Sequence, residues 1–259
     1  MILALLGGSK AAWYLTRGTG VVSILLLTAV TVLGIVNSVR WSPKGSPRFV
    51  LQHLHRNISL LSVVFIVVHV ASAVFDTFAP IHWLDAIVPF GAPYRPLWLG
   101  LGALAFDLVI AVTVTSLLRA RLGFGVWRVV HWTSYACWGI AVFHGLGTGS
   151  DSAYAWMEVL ILACVASVAT ATGWRLSDGW HGWSSARISL ALGLVVVPLA
   201  LGGWFVAGPL QPGWAARAGT PVKVLPAAAA TTASDSCCRP ATAAGTGRRD
   251  CTGWAICST

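Results

Sequence analysis

Six stretches of the chain are apolar for long enough to cross a lipid bilayer, and that constrains the fold more than any other feature. At ~1.5 Å per helical residue, about 20 residues cover the ~30 Å hydrocarbon core. Such stretches lie at roughly 19–39, 57–75, 98–117, 131–148, 153–173 and 188–207. Lipid offers no partner for backbone N–H and C=O groups, so the expected fold class is all-α, a polytopic membrane protein built as a six-transmembrane-helix bundle. Composition agrees: 56% of the 259 residues are hydrophobic and 10% charged, against about 25% charged in soluble domains. A soluble globular protein is thereby excluded. The domain reading is a short N-terminal segment (1–18), a six-helix transmembrane domain (19–208), and a Pro/Ala/Thr/Gly-rich tail (209–259) expected to be disordered.

Tryptophan and tyrosine mark the interfaces, with Trp13, Tyr14 and Trp41 around the first stretch, Trp98 before the third and Trp204 closing the last. The net charge of +9 is spread between apolar stretches and forms no basic face, so nucleic acid is not an expected partner. The basic residues report orientation instead. Arg40, Lys44, Arg48, Arg56, Arg119, Arg121, Arg128, Arg175 and Arg187 fall on one set of connections, while the other holds Asp76, Asp85 and Asp151 with Arg95. Lys10 and Arg17 run against the trend. The basic side is expected to be cytoplasmic in the plasma membrane, with both termini outside. Residues 1–8 lack a charged n-region, so no cleaved signal peptide is expected. Cys137 and Cys164 sit inside apolar stretches, and Cys237, Cys238, Cys251 and Cys257 crowd the tail without zinc-ligand spacing.

The chemistry is expected in the histidines. His55 and His69 lie on the second stretch, His131 and His144 on the fourth, and both stretches run in the same direction. Imidazole is costly in lipid, so intramembrane histidines are functional candidates, although one alone serves equally well as an interhelical hydrogen bonder. The separations of 14 and 13 residues correspond to ~21 and ~20 Å of helix. His55 is then level with His131, and His69 with His144. Each level offers two axial nitrogens to one iron, and bis-imidazole ligation suits electron transfer rather than oxygen binding. At ~100° per residue, 14 residues return to within ~40° of one helix face and 13 end ~140° away, a mismatch that tilt, distortion near Gly139 or non-coaxial haems would have to absorb. Arg56 and Arg128 are candidate propionate partners, with the positive-inside bias as the alternative reason for their position. Phe65 and Trp138 fall between the levels as bridging candidates or as packing. Asp107, in the third stretch, either accepts a hydrogen bond from a ligating imidazole or ties helices together. His53, His82 and His181 lie at interfaces or in loops and are not expected to bind iron, with His53 the alternative to His55 if the second stretch starts earlier. No GxGxxG fingerprint, phosphate loop or Ser/His/Asp arrangement stands out.

The segments LHRNISLLSVVFIVVHV (54–70) and WRVVHWTSYACWGIAVFHGLGTG (127–149), with WYLTRGTGVVSILLLT (13–28) and RPLWLGLGALAFDL (95–108), resemble the ferric reductase-like transmembrane domain over about residues 12–175, in its bacterial, actinobacterial form. That superfamily includes ferric reductases, NADPH oxidases and the haem subunit of periplasmic methionine sulfoxide reductase. The resemblance implies a haem b conduit, two haems being expected, with His55 and His131 as the cytoplasmic-side pair and His69 and His144 as the outer pair. No flavin or NAD(P)H domain is recognised, which departs from the oxidase pattern, so a separate flavoprotein reductase or quinol is the implied donor. The implied acceptor is ferric iron or an extracytoplasmic redox protein. The chain is then either an oxidoreductase component reducing iron itself or a membrane-anchor donor subunit with no small-molecule substrate of its own.

Overall fold

The computed structural model describes residues 10–39, 47–76, 79, 81–148, 154–177 and 185–221. Six long helices account for most of them: α1 (Lys10–Ser38), α2 (Arg48–Phe75), α3 (Pro96–Leu117), α4 (Phe124–Thr148), α5 (Ala155–Ser177) and α6 (Ser185–Ala207). Single turns at Trp83–Ala86, Arg119–Leu122 and Trp214–Arg217 sit in the connections. Local sequence explains several ends. Pro96 opens α3 at a position where its missing N–H is no loss, and Gly123, at φ 79°, separates the Arg119–Leu122 turn from α4 in a conformation suited to glycine.

Each expected stretch lies on one of these helices. Four helical segments are long and apolar enough to cross a membrane by length and composition: Ala11–Ser38, Phe49–Phe75, Pro96–Leu117 and Ala155–Ser177. α4 has the length at 25 residues, but Arg128, two histidines and its hydroxyl residues dilute its apolar character. In α6 the apolar stretch is the shorter Ala191–Ala207. The described surface is apolar in the manner of a lipid-facing one: Leu61, Val64 and Val68 form an outward stripe on α2 at 46%, 57% and 38% exposure.

α1 packs along α2 and α3 along α4, and α1 also meets α4 and α5. One core cluster joins Ile24 of α1 to Trp138, Val142 and Leu146 of α4, Ile161 of α5 and Leu201 of α6. A second joins Ile66 of α2, Ala105 and Val109 of α3, and Cys137 of α4. The outcome sets α2 and α4 across from each other with α1 and α3 beside them.

Four boundaries differ from the sequence reading, the starts of α2 at Arg48 rather than near 57 and of α4 at Phe124 rather than near 131 among them. α1 begins at Lys10 rather than near 19. At 29 residues it is about 43 Å long, which exceeds the ~30 Å hydrocarbon core. Residues 209–221, assigned from sequence to the tail, fold back on the bundle: the Trp214 indole donates to the Gly147 carbonyl (3.3 Å) and the Arg95 backbone N–H to the Gly219 carbonyl (3.0 Å). The rest of the tail, with its four cysteines, lies outside the described residues.

Candidate functional site

The four histidines meet in two pairs. His55 and His131 have ring centroids 6.3 Å apart at 75°, and His69 and His144 are 6.4 Å apart at 81°. A direct hydrogen bond would bring such rings to about 5 Å. Two imidazoles on opposite sides of one iron need about 6.2 Å, given a metal–imidazole bond of roughly 2 Å and a ring nitrogen about 1.1 Å from its centroid. Both pairs therefore stand at the separation of bis-imidazole ligation.

At the second level each ring is oriented from behind. His69 Nδ1 lies 2.8 Å from the Thr16 carbonyl of α1, and His144 Nδ1 lies 2.8 Å from the Trp98 carbonyl of α3. A carbonyl only accepts, so both Nδ1 atoms carry the proton and both Nε2 lone pairs are left for a metal. At the first level the Nδ1 atoms of His55 and His131 are buried without a hydrogen-bond partner. The Val30 carbonyl lies near His55 but outside hydrogen-bonding geometry. His131 is held differently, stacked on Trp127 one turn earlier in α4 at 4.8 Å and 23°. The Arg119 guanidinium caps that indole, its Cζ being 4.2 Å from the ring centroid.

Glycines make the space. A Cβ on Gly20 would lie 3.0 Å from His69 Cε1, and one on Gly34 would lie 3.4 Å from His55 Cε1. Antiparallel packing of α1 on α2 thus sets two glycines 14 residues apart against two histidines 14 residues apart. On the other side Gly102 of α3 abuts His144, where a Cβ would collide with the ring. A cavity of about 290 Å³ lies at the second level, lined by His69, His144, Gly20, Gly102, Ala105 and Ala141 among others, with Arg17, Asp76 and Asp85 also on its wall. Separation, protonated Nδ1 atoms and a glycine-cleared apolar cavity together fit a flat iron macrocycle at this level. The cavity includes neither His55 nor His131.

The remaining expected residues lie as follows. Arg56 and Arg128 are exposed, and the Arg128 Cζ is 5.6 Å from the Phe124 ring. Phe65 is half-buried. Trp138 is buried in the core and its indole donates to Thr28 Oγ1 at 3.0 Å, tying α4 to α1. Asp107 does not orient an imidazole: two of the four Nδ1 atoms are taken by the Thr16 and Trp98 carbonyls, and the other two have no partner. Backbone carbonyls fill the role considered for it. His53 is exposed, His82 is exposed and 3.4 Å from Asp85, and His181 lies outside the described residues.

Sequence reasoning missed Thr16, Trp98, Trp127 and the three glycines. The glycines had a readable signal, since Gly20 and Gly34 repeat the histidine interval of 14. The carbonyls had none, because every residue carries one. Arg17, read from sequence only as an exception to the charge trend, sits with its guanidinium 4.0 Å over the Trp13 ring at the cavity wall.

Residues 19–142 match the family described as ferric reductase like transmembrane component. The match spans His55, His69 and His131 and stops two residues short of His144. No curated protein and no solved structure matches the chain. The membrane-embedded domain at residues 19–142 belongs to the ferric reductase-like transmembrane family.

Proposed function

We propose that the chain is a haem b-containing transmembrane electron conduit of six spans, carrying electrons from the cytoplasmic side to an extracytoplasmic acceptor such as ferric iron. The observation behind this reading is the pair of histidine separations, 6.3 and 6.4 Å, at two levels of the same two helices. Haem iron held by two imidazoles has no open position and exchanges one electron between ferric and ferrous states. His55 and His131 hold the first group, and His69 and His144 the second.

The other residues serve these four. Thr16 and Trp98 carbonyls keep Nδ1 protonated at the second level, which fixes the ring planes and directs Nε2 inward. Gly20, Gly34 and Gly102 clear the space beside the rings. Arg17, on the cavity wall, would be the cation for the carboxylates of a haem at the second level, and Arg56 and Arg128 for those of one at the first. Phe65 and Trp138 fill the apolar space between levels. The donor is a separate flavoprotein or quinol on the basic side, and each electron it loses reduces one ferric acceptor on the opposite side.

The test is a reduced-minus-oxidised spectrum of the purified protein with haem quantitation, followed by reduction of a trapped ferric chelate in inside-out vesicles. Two haems per chain, and transfer that fails in both His55→Ala and His144→Ala, are expected. Equal transfer by wild type and both variants overturns the reading.

A further inference from the structure

Arg95 is the one charged residue that is buried among the described residues, at 5% exposure. Its backbone is left-handed, with φ 43°, a strained conformation for a side-chain-bearing residue that persists only where surrounding contacts hold it. Those contacts gather three separate parts of the chain. Nε donates to Thr220 Oγ1 at 2.8 Å, Nη1 donates to the Gly147 carbonyl at 3.0 Å, and the backbone N–H donates to the Gly219 carbonyl at 3.0 Å. Gly147 is also the acceptor for Trp214, and Trp214 meets Trp204 edge-on and Trp98 at a tilt. The start of α3, the end of α4 and the segment 209–221 are thus fastened at one guanidinium.

That fastening sits beside the second histidine pair. Trp98, three residues after Arg95, supplies the carbonyl for His144 Nδ1. Gly147, three residues after His144, accepts from Arg95. Trp98 packs so closely on Gly147 that no Cβ fits there. Both side-chain acceptors of Arg95, a hydroxyl and a carbonyl, are neutral, and a buried guanidinium keeps its charge. A positive charge in a low-dielectric surround favours the more negative, reduced form of a centre nearby.

We infer that Arg95, clasped by residues 209–221, is a positioning residue for His144 and raises the reduction potential of the second-level haem. This rests on the haem-conduit reading. The experiment uses the full-length haem-loaded protein in lipid nanodiscs, with redox titration of each level and amide hydrogen exchange over 209–221. His69→Ala assigns the second-level signal.

In Arg95→Gln, the reduced-to-oxidised ratio of the second level at fixed potential falls at least tenfold, a 59 mV shift for one electron, while the first level is unchanged. Exchange over 209–221 rises. Arg95→Lys keeps the charge without the fork: the ratio returns to within threefold of wild type, and exchange stays raised. Where Arg95→Gln folds poorly, Arg95→Met removes the same charge with the same tenfold fall expected, and Thr220→Val, which leaves Arg95 in place, parallels Arg95→Lys. Its exchange rises with the second-level ratio within threefold of wild type. A second level unmoved in Arg95→Gln, or both levels moved equally, overturns the inference. Wild-type protein without haem overturns the conduit reading and this inference with it, whereas haem at both levels with an unmoved second level overturns the inference alone.

Discussion

Alanine at each of the three glycines beside the rings should give a graded loss of haem, because the space ahead of each Cβ differs. At Gly102 the new methyl would fall inside the contact distance of the His144 ring and 3.0 Å from its Nε2. The ring is held by a 2.8 Å hydrogen bond to Trp98, so it cannot withdraw without giving that bond up. Overpacking costs about 1–3 kcal/mol, and a lost hydrogen bond about 0.5–1.5 kcal/mol more. Opposing these, Gly→Ala inside a helix gains about 1 kcal/mol. The net loss, about 1–3 kcal/mol at the ligand, corresponds to a drop of roughly 5- to 150-fold in affinity, which brackets the ~10- to 100-fold found when groups behind a metal ligand are changed. At Gly20 the distances are 3.0 and 3.2 Å to Cε1 and Nδ1 of His69, and a few tenths of an ångström of movement should cost several-fold. At Gly34 the distance to His55 Cε1 is 3.4 Å, an ordinary contact, so the helix gain wins and Gly34→Ala retains its haem. Gly139, with nothing within 4 Å, is the control. The assay is haem retained per chain after competition with a haem-binding acceptor protein, by pyridine haemochrome. Loss in the order Gly102 > Gly20 > Gly34 is expected. Gly102→Ala with wild-type retention, or Gly34→Ala as damaging as Gly102→Ala, would refute the reasoning.

His69→Ala should remove the second-level haem alone and leave one per chain, since His55 and His131 share no hydrogen bond with that level; quantitation reads this directly. Asp107→Asn should leave both haem content and the visible spectrum unchanged, because no imidazole Nδ1 bonds to it. Trp138→Phe removes the indole donor to buried Thr28 and should cost about 1–2 kcal/mol, seen as a lower thermal midpoint by circular dichroism in detergent. Trp127→Leu removes the stack on His131 and should broaden the first-level electron paramagnetic resonance signal, leaving the second-level signal sharp.

The helices were legible because apolar length is a strong signal, and the four paired histidines because polar rings stand out in apolar helices. What the sequence hid falls into two physical kinds. Helix starts near the interface carry ordinary charge and aromatic content, so α1 was read from 19 although its first turns hold Thr16 and Arg17. Roles performed by backbone atoms leave no mark in side-chain identity, so the Thr16 and Trp98 carbonyls were invisible while Asp107 drew attention. Arg95 was counted as a loop cation because sequence records charge but not burial, and its burial depends on residues 147 and 220, far along the chain.

The 13- and 14-residue spacings shed light on how the two levels come to match. Helical register alone would turn His144 about 140° from His131, while His55 and His69 share a face to within about 40°. Yet the two ring separations differ by only 0.1 Å, 6.3 against 6.4 Å. Register therefore does not fix the two α4 rings; each of them is set by its own neighbour. His131 lies flat on Trp127 of the same helix, whereas His144 is drawn by the Trp98 carbonyl of the adjacent one. On α2 both histidines face α1, where glycines at the same interval admit them. The consequence is a division of labour: α2 presents its ligands through register, and α4 through contacts with Trp127 and α3. Insertion of one residue between His55 and His69 should thus damage both levels of the α1–α2 register, while a one-residue change in α4 is partly absorbed by ring anchoring.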